Sequence, residues 1–270
     1  MRFITMGSET LPTLLFIHGL SATAESCYGT VGRLLQNNWH IVLCELDGHY
    51  EESPAFTSID AECEQIEDYF RKKHNGKIHG MIGLSLGGTI AVSILSRGRI
   101  QIEKTVLDAA FCVDMGLLKG FYTWLFPIGV ARVRDGKYVP GFLIDLLMGR
   151  ENRSMTQMIY PGISVETCRN ACRDVYSYRI SDKLRNTSSK VEFWRGSREP
   201  YPAKGAVLLK KYLPAMTERV FPQMGHCQFL HEHPEEYAAL LNQTMGSNHG
   251  ALMAEAGHDT SIYARGCRSF

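Results

Sequence analysis

The chain has 270 residues, 44% of them hydrophobic, and a formal net charge of +1. That length allows one large domain, or one domain carrying an insertion, and that composition buries a full core, so disorder is not the default. A near-neutral balance without a basic stripe interleaved with aromatics gives no support to nucleic-acid or acidic-lipid binding, and no stretch reaches the length of a membrane span. Taken in order, Arg2–Thr5 reads as one short strand and Thr13–Ile17 as a stronger one ending at His18-Gly19. An amphipathic helix is predicted over 24–37, with Val31, Leu34 and Leu35 on one face. His40–Leu46 is a buried strand, and Asp47-Gly48-His49-Tyr50 turns away from its end. Ile59, Cys63, Ile66 and Phe70 mark one face of a helix over 57–74. Residues 78–84 read as a buried strand, 86–97 as a helix apolar nearly all round, and Thr105-Val106-Leu107 as a strand ending at Asp108. Short apolar strands alternating with helices predict a parallel sheet covered on both faces.

Residues 111–187 break the alternation. Connections in such sheets are usually about 2–6 residues. This segment is far longer and rich in large apolar side chains: Phe111, Met115, Phe121, Tyr122, Trp124, Phe126, Phe142, Met148, Met158 and Tyr160. Pro127, Pro140 and Pro161 are expected to cut it into short helices, the last at 164–178, and Arg134-Asp135-Gly136-Lys137 into a tight turn or small hairpin. We read it as an inserted helical cap. Most of its aromatics are expected to form the cap's own core, with Trp124, Phe126, Phe142 and Met158 as candidates for lining a pocket. Alternation resumes with the strand Val191–Trp194, a helix over 203–212, a strand over 218–221 and a last helix opened by His233-Pro234-Glu235-Glu236. The expected division is therefore a core of 1–110 and 188–245, a cap of 111–187 and a disordered tail of 246–270, where periodicity stops.

The start of the chain, Met1-Arg2-Phe3-Ile4-Thr5-Met6-Gly7, does not read as a secretory signal. Eight cysteines (27, 44, 63, 112, 168, 172, 227, 267) are dispersed. Cys168 and Cys172 stand one helical turn apart with no second pair to complete a zinc spacing. A reducing, cytoplasmic setting without structural disulfides is expected.

The stretch that carries chemistry is Gly83-Leu84-Ser85-Leu86-Gly87-Gly88, between a predicted strand and a predicted helix. A strand that turns at once into a helix leaves its hinge residue strained and exposed, and needs small neighbours so the backbones can pass. A serine there stands at a helix N-terminus, where free N–H groups favour a developing anion. Serine is a poor nucleophile until a base takes its proton, and an acid must hold that base in the right tautomer. Ser85, Glu199 and His226 each follow a predicted strand and so fall at the carboxyl edge of the sheet. Asp108, after the preceding strand, competes with Glu199 for the acid's place. His18 and His49 read as loop-packing histidines.

Over residues 2–245 the chain resembles a capped α/β-hydrolase. The resemblance rests on Phe16-Ile17-His18-Gly19-Leu20, Asp47-Gly48-His49, the Ser85 turn, Trp194-Arg195-Gly196-Ser197-Arg198-Glu199 and Gly225-His226, in that order. It implies Ser85 as nucleophile, His226 as base, Glu199 as acid, and the backbone N–H groups of Leu20 and Leu86 as the oxyanion hole. The family more often has aspartate where this chain has Glu199. The implied fold is a mostly parallel sheet of about seven strands with helices on both faces and a helical cap. The implied activity is hydrolysis of a small carboxylic ester with an apolar substrate, through an acyl-serine, without metal or cofactor. Enzymes of this fold that open epoxides or cleave carbon–halogen bonds carry aspartate where Ser85 stands, which argues against both. Thioester, amide or carbon–carbon bond hydrolysis stays open, as does a non-catalytic sensor that uses the same pocket for a small ligand.

Overall fold

The computed structural model of the protein describes residues 1–142, 156 and 158–246. Strand β2 (Thr13–Ile17) is buried along its whole length, as is β3 (His40–Glu45). Strands of this kind exist only inside a sheet covered on both faces. Five further strands complete it: β1 (Arg2–Met6), β4 (Lys77–Leu84), β5 (Gln101–Asp108), β6 (Lys190–Gly196) and β7 (Thr217–Phe221). Their order is β1-β3-β2-β4-β5-β6-β7, antiparallel only at the β1–β3 edge. The sheet is thus the expected one, with seven strands and mostly parallel.

Eight helices are described: α1 (Ala24–Leu35), α2 (Ile59–Lys73), α3 (Leu86–Arg97), α4 (Lys119–Arg134), α5 (Val165–Tyr176), α6 (Pro200–Lys210), α7 (Gln228–Glu232) and α8 (Pro234–Met245). The two-residue period of the strands divides the core between two faces. Leu14, Phe16, Ile41 and Leu43 pack with residues of α1 and α8, while Leu15, Ile17, Val42 and Cys44 pack with residues of α2, α3 and α6. Thr23 caps α1 by accepting from the Ser26 N–H, and Ser58 caps α2 through Ala61.

Some expectations shift. Leu34 is exposed, so the inner stripe of α1 is Cys27, Tyr28, Val31 and Leu35. Pro127 does not cut its segment. It sits buried inside the 16-residue α4, where packing of an apolar helix on α5 outweighs one missing main-chain hydrogen bond. Residues 134–137 form no hairpin; they end α4, with the Gly136 N–H donating to Val133 O at φ +66°. Phe126 joins Val130, Ile163 and Cys168 in a small separate cluster, whereas Trp124 and Phe142 are exposed. Met148 and nearly all of the expected tail lie outside the described residues. Seven cysteines are buried and unpaired among the described residues.

One buried charge ties α2 to the end of α3. The Glu67 carboxylate is fully buried and accepts from Arg97 Nε at 2.9 and 3.1 Å and from an Arg99 nitrogen at 3.3 Å. Removing a partner of a buried charge costs more than the pair contributes. Arg97→Met should therefore destabilise the fold by up to about 3 kcal/mol, and adding Glu67→Gln should recover part of that loss. Denaturant midpoints of the two variants check this.

Candidate active site

The sheet order reverses between β2 and β4. The loops that follow these two strands run to opposite sides and leave a crevice at the carboxyl edge. Ser85 sits there as the sole residue between β4 and α3, at φ 53° and ψ −110°. Side chains avoid that backbone region unless their surroundings hold them in it. Here the Ser85 N–H donates to Asp108 O at 2.8 Å, and Ser85 O accepts from the Thr89 N–H at 3.1 Å. The neighbouring glycines are obligatory for a steric reason. A Cβ on Gly83 would lie 2.4 Å from Gly87 O, and one on Gly87 would lie 2.1 Å from Ile17 O.

The structure brings Ser85, His226 and Glu199 into one hydrogen-bonded line. Ser85 Oγ is 3.0 Å from His226 Nε2, and His226 Nδ1 is 2.6 Å from Glu199 Oε1. A carboxylate can only accept, so Nδ1 carries the proton and Nε2 is the free acceptor facing Ser85. Glu199 is buried, and its other oxygen accepts the Gly196 N–H at 2.5 Å. Both oxygens are fixed, which directs the carboxylate at the ring. Burial of His226 opposes its protonated form, but the Glu199 hydrogen bond and charge outweigh that and raise its pKa above the usual histidine value.

Asp108 is not in the line. It is buried, its Oδ2 accepts from Tyr237 Oη at 2.9 Å, and burial with the nearby Glu199 charge pushes its pKa up to about 7. Of the two acids left open by the sequence, Glu199 is the one that meets His226. Tyr237 lies in the last helix, and its hydroxyl contact with Asp108 has no local sequence signal.

Leu86 opens α3, so its N–H projects from the helix N-terminus beside Ser85. Leu20 follows Gly19, where a Cβ would lie 3.5 Å from Ser85 Cβ, so this loop rests against the serine. Neither N–H meets an acceptor among the described residues.

The two buried histidines set the shape of that loop. His18 Nδ1 donates to Gly19 O at 2.7 Å, while its Nε2 accepts the Leu46 N–H at 3.0 Å. Glu45 Oε1, 3.4 Å from that nitrogen, accepts the Ala24 N–H at 2.7 Å. A trans peptide points its N–H opposite to its C=O. Fixing Gly19 O therefore fixes the direction of the Leu20 N–H. His49 Nε2 accepts the Ser21 N–H at 3.1 Å, and its Nδ1 donates to Asp47 O at 2.9 Å. Ser21 O accepts the Tyr160 N–H at 2.7 Å, so Ser21, at φ 70°, is held from two sides. Both rings are the loop-packing residues expected. Their effect on the Leu20 peptide follows from tertiary contacts with β3 and is not visible in spacing.

A groove of about 940 Å³ opens at the opposite edge of the sheet, beside Gly76, Lys77 and Gln101. It is remote from Ser85, and two of its arginines, Arg97 and Arg99, are held by Glu67.

With this geometry in place, comparison with known proteins is direct. A family model described as "Alpha/beta hydrolase family" matches residues 14–240. Among solved structures, an α/β-hydrolase family protein from Desulfitobacterium hafniense superposes with a TM-score of 0.79 at 22% identity, covering 91% of this chain and all of its own. A carboxylesterase of the thaumarchaeon Nitrososphaera gargenis gives 0.70 at 20% identity, covering 90% of this chain and 93% of its own. A thermophilic esterase from Thermogutta terrifontis gives 0.70 at 20% identity, covering 90% and 91%. At these identities the likeness is one of fold. No curated protein matches the chain significantly.

The two loop histidines make a pH prediction. Each ring donates once and accepts once from the main chain, which only neutral imidazole can do. Burial holds the His18 pKa well below 6.5 and that of His49 down to about 4. Between pH 6.5 and 4 the unfolded chain therefore takes up protons that these rings refuse in the fold. Stability should fall as pH is lowered through that window, by about 3 kcal/mol from His49 alone. His49→Gln keeps an acceptor without titrating. Its denaturant midpoint should start lower at pH 7 and decline less on the way to pH 4.

Proposed function

The chain belongs to the α/β-hydrolase family, and from that premise we propose that it is a serine hydrolase that cleaves a small carboxylic ester through an acyl-serine intermediate. The observation that supports this reading most is the line from Ser85 Oγ through His226 to Glu199, at 3.0 and 2.6 Å. In the proposed reaction His226 Nε2 takes the Ser85 proton as Oγ bonds to the ester carbonyl carbon. Glu199 stabilises the imidazolium that forms and keeps Nδ1 as the donor. The carbonyl oxygen, now an anion, lies between the N–H groups of Leu86 and Leu20. Each such donor typically contributes about 2.7–4 kcal/mol to the transition state. The imidazolium then protonates the leaving alcohol as the carbon–oxygen bond breaks. In the second half His226 draws a proton from water, the resulting hydroxyl attacks the acyl carbon, and Ser85 leaves with the proton restored to Oγ.

Residues 111–187 serve in this reading as a cap over the core of 1–110 and 188–245. Two aromatic contacts favour that placement. Phe111 packs edge-on against Tyr176 of α5 and near Tyr201 of α6, just beyond Glu199. Phe111 O also accepts from Thr89 Oγ1, in the first turn after Ser85. These rings put an apolar wall beside the serine, suited to an acyl or alcohol group with little charge.

Two measurements test the proposal. A fluorophosphonate probe should add once, at Ser85. Parent protein should turn over short-chain nitrophenyl esters, and Ser85→Ala should lose both labelling and turnover. Labelling that persists in Ser85→Ala would reject Ser85 as the nucleophile.

The second measurement concerns Glu199. Catalysis needs neutral His226, so kcat/KM of the parent should rise with pH through an apparent pKa above the ordinary histidine value, as the raised His226 pKa dictates. Glu199→Gln removes the charge that raises it. That limb should move to lower pH while kcat falls by about 10³- to 10⁴-fold. Asp108→Asn should change kcat far less; the reverse ranking would make Asp108 the acid.

A further inference from the structure

Helix α4 has apolar side chains on every side, and such helices are ordinarily buried. Among the described residues only one side of this one is covered. Phe126 and Val130 pack with Ile163 and Cys168, and Tyr122 meets Tyr176 of α5. The other side carries Phe121, Trp124 and Ile128, three and four residues apart, and the 3-10 turn Gly116–Leu118 that leads into the helix adds Leu117 and Leu118, all facing solvent. Trp124 is 61% exposed and Leu117 fully so. A contiguous exposed stripe of this kind marks a surface that meets something other than water.

The charges around the stripe identify its partner. From Met115 to Arg134 there is no acidic residue, while Lys119, Arg132 and Arg134 are basic. Arg134 is engaged by Asp135 and by Ile163 O. Lys119 and Arg132 are exposed near the two ends of the stripe, Arg132 also donating to Tyr138 O. We propose that this face of α4 docks on an anionic lipid surface, with Leu117, Phe121, Trp124 and Ile128 entering the headgroup boundary and Lys119 and Arg132 meeting lipid phosphates. Apolar and aromatic side chains on one face, flanked by cations, are what lying at such a boundary requires. A second copy fits less well. A two-fold pairing along the stripe sets Lys119 of one chain near Arg132 of the other, with no carboxylate in the segment to meet them. No described helix is long and apolar enough to cross a membrane, and α4 has only 16 residues, so the helix lies on the surface. The near-neutral charge of the whole chain conceals this local asymmetry. That is why composition alone gives acidic-lipid binding no support.

The three tryptophans make the test specific. Trp39 and Trp194 are buried, at 5% and 0% exposure, so a change in solvent contact reports Trp124. Vesicles of phosphatidylcholine with phosphatidylglycerol should shift tryptophan emission to the blue and carry the full chain into the pellet on centrifugation. Leu117→Ser with Phe121→Ser, two exposed positions, should abolish pelleting while the circular dichroism and Tm remain those of the parent. Lys119→Glu with Arg132→Glu should weaken partitioning by at least tenfold. Trp124→Phe should remove the spectral shift and retain the pelleting. Absence of both shift and pelleting at a large excess of lipid overturns the proposal. So does pelleting that survives Leu117→Ser with Phe121→Ser, because lipid would then be held elsewhere. A blue shift that grows with protein concentration without lipid, as the mass doubles in light scattering, overturns it in favour of a second copy. None of these readouts uses turnover, so they stand or fall separately from the role of Ser85.

Discussion

The conformation of a single residue organises the molecule. Ser85 at φ 53° and ψ −110° costs on the order of 1–3 kcal/mol. It persists because its surroundings permit no alternative. Its N–H is taken by Asp108 O from β5, and its C=O by Thr89 one turn into α3. Gly83 and Gly87 let β4 and α3 pass at a separation that a methyl group would not survive, and Gly87 also lies against Ile17 O of β2. Three adjacent strands therefore fix one residue. The reversal of strand order between β2 and β4 belongs to the same constraint, because it opens the crevice into which the hydroxyl projects.

Around that point the site is built by spending main-chain hydrogen bonds. Gly196 N–H fixes one Glu199 oxygen, leaving the other for His226. His18 fixes Gly19 O and so the direction of the Leu20 N–H, and His49 fixes the next residue. Asp108 shows the opposite treatment. Enclosed, near Glu199 and hydrogen-bonded to Tyr237, it is driven toward its neutral form near pH 7. Two buried carboxyl groups stand close together, and their surroundings hold them differently. The one that accepts from His226 holds its place through a main-chain donor, and the other shares a hydroxyl.

Much of this was legible in the sequence because the signals were local. Strand β2, the Gly83–Gly88 turn, α3 and the Pro234 start of α8 each depend on residues within a few positions, and each lies where periodicity and turn chemistry put it. The candidates Ser85, Glu199 and His226 were legible because each ends or follows a strand of a parallel sheet, which brings them to one edge. Illegible features depend on contacts distant in sequence. The choice between Glu199 and Asp108 turns on which of them His226 meets, and Asp108 meets instead Tyr237, 129 positions away. Leu34 follows the apolar pattern of α1, yet it stands exposed. Pro127 is a strong local breaker, but α5 gives α4 a partner to pack on, and tertiary contact overrides the propensity.

The residues between β5 and β6 obey a different logic from the rest. In the central strands β2 and β3 every side chain finds a cover, so apolar patterning and burial agree. In α4 they disagree: the helix is apolar on both sides and, among the described residues, covered on one. A sequence that served stability alone would carry polar residues at Leu117, Phe121 and Trp124, where exposure yields no packing and invites aggregation. Their presence on the helix that also carries Tyr122 gives α4 two unlike faces. Its inner face packs on α5, where Tyr122 meets Tyr176, which in turn meets Phe111. Its outer face presents the same apolar chemistry to the surroundings. Under the proposed lipid docking and ester hydrolysis, a helix built this way would let an apolar substrate pass from a lipid boundary toward the serine, and would account for an insertion so rich in large side chains leaving several of them uncovered.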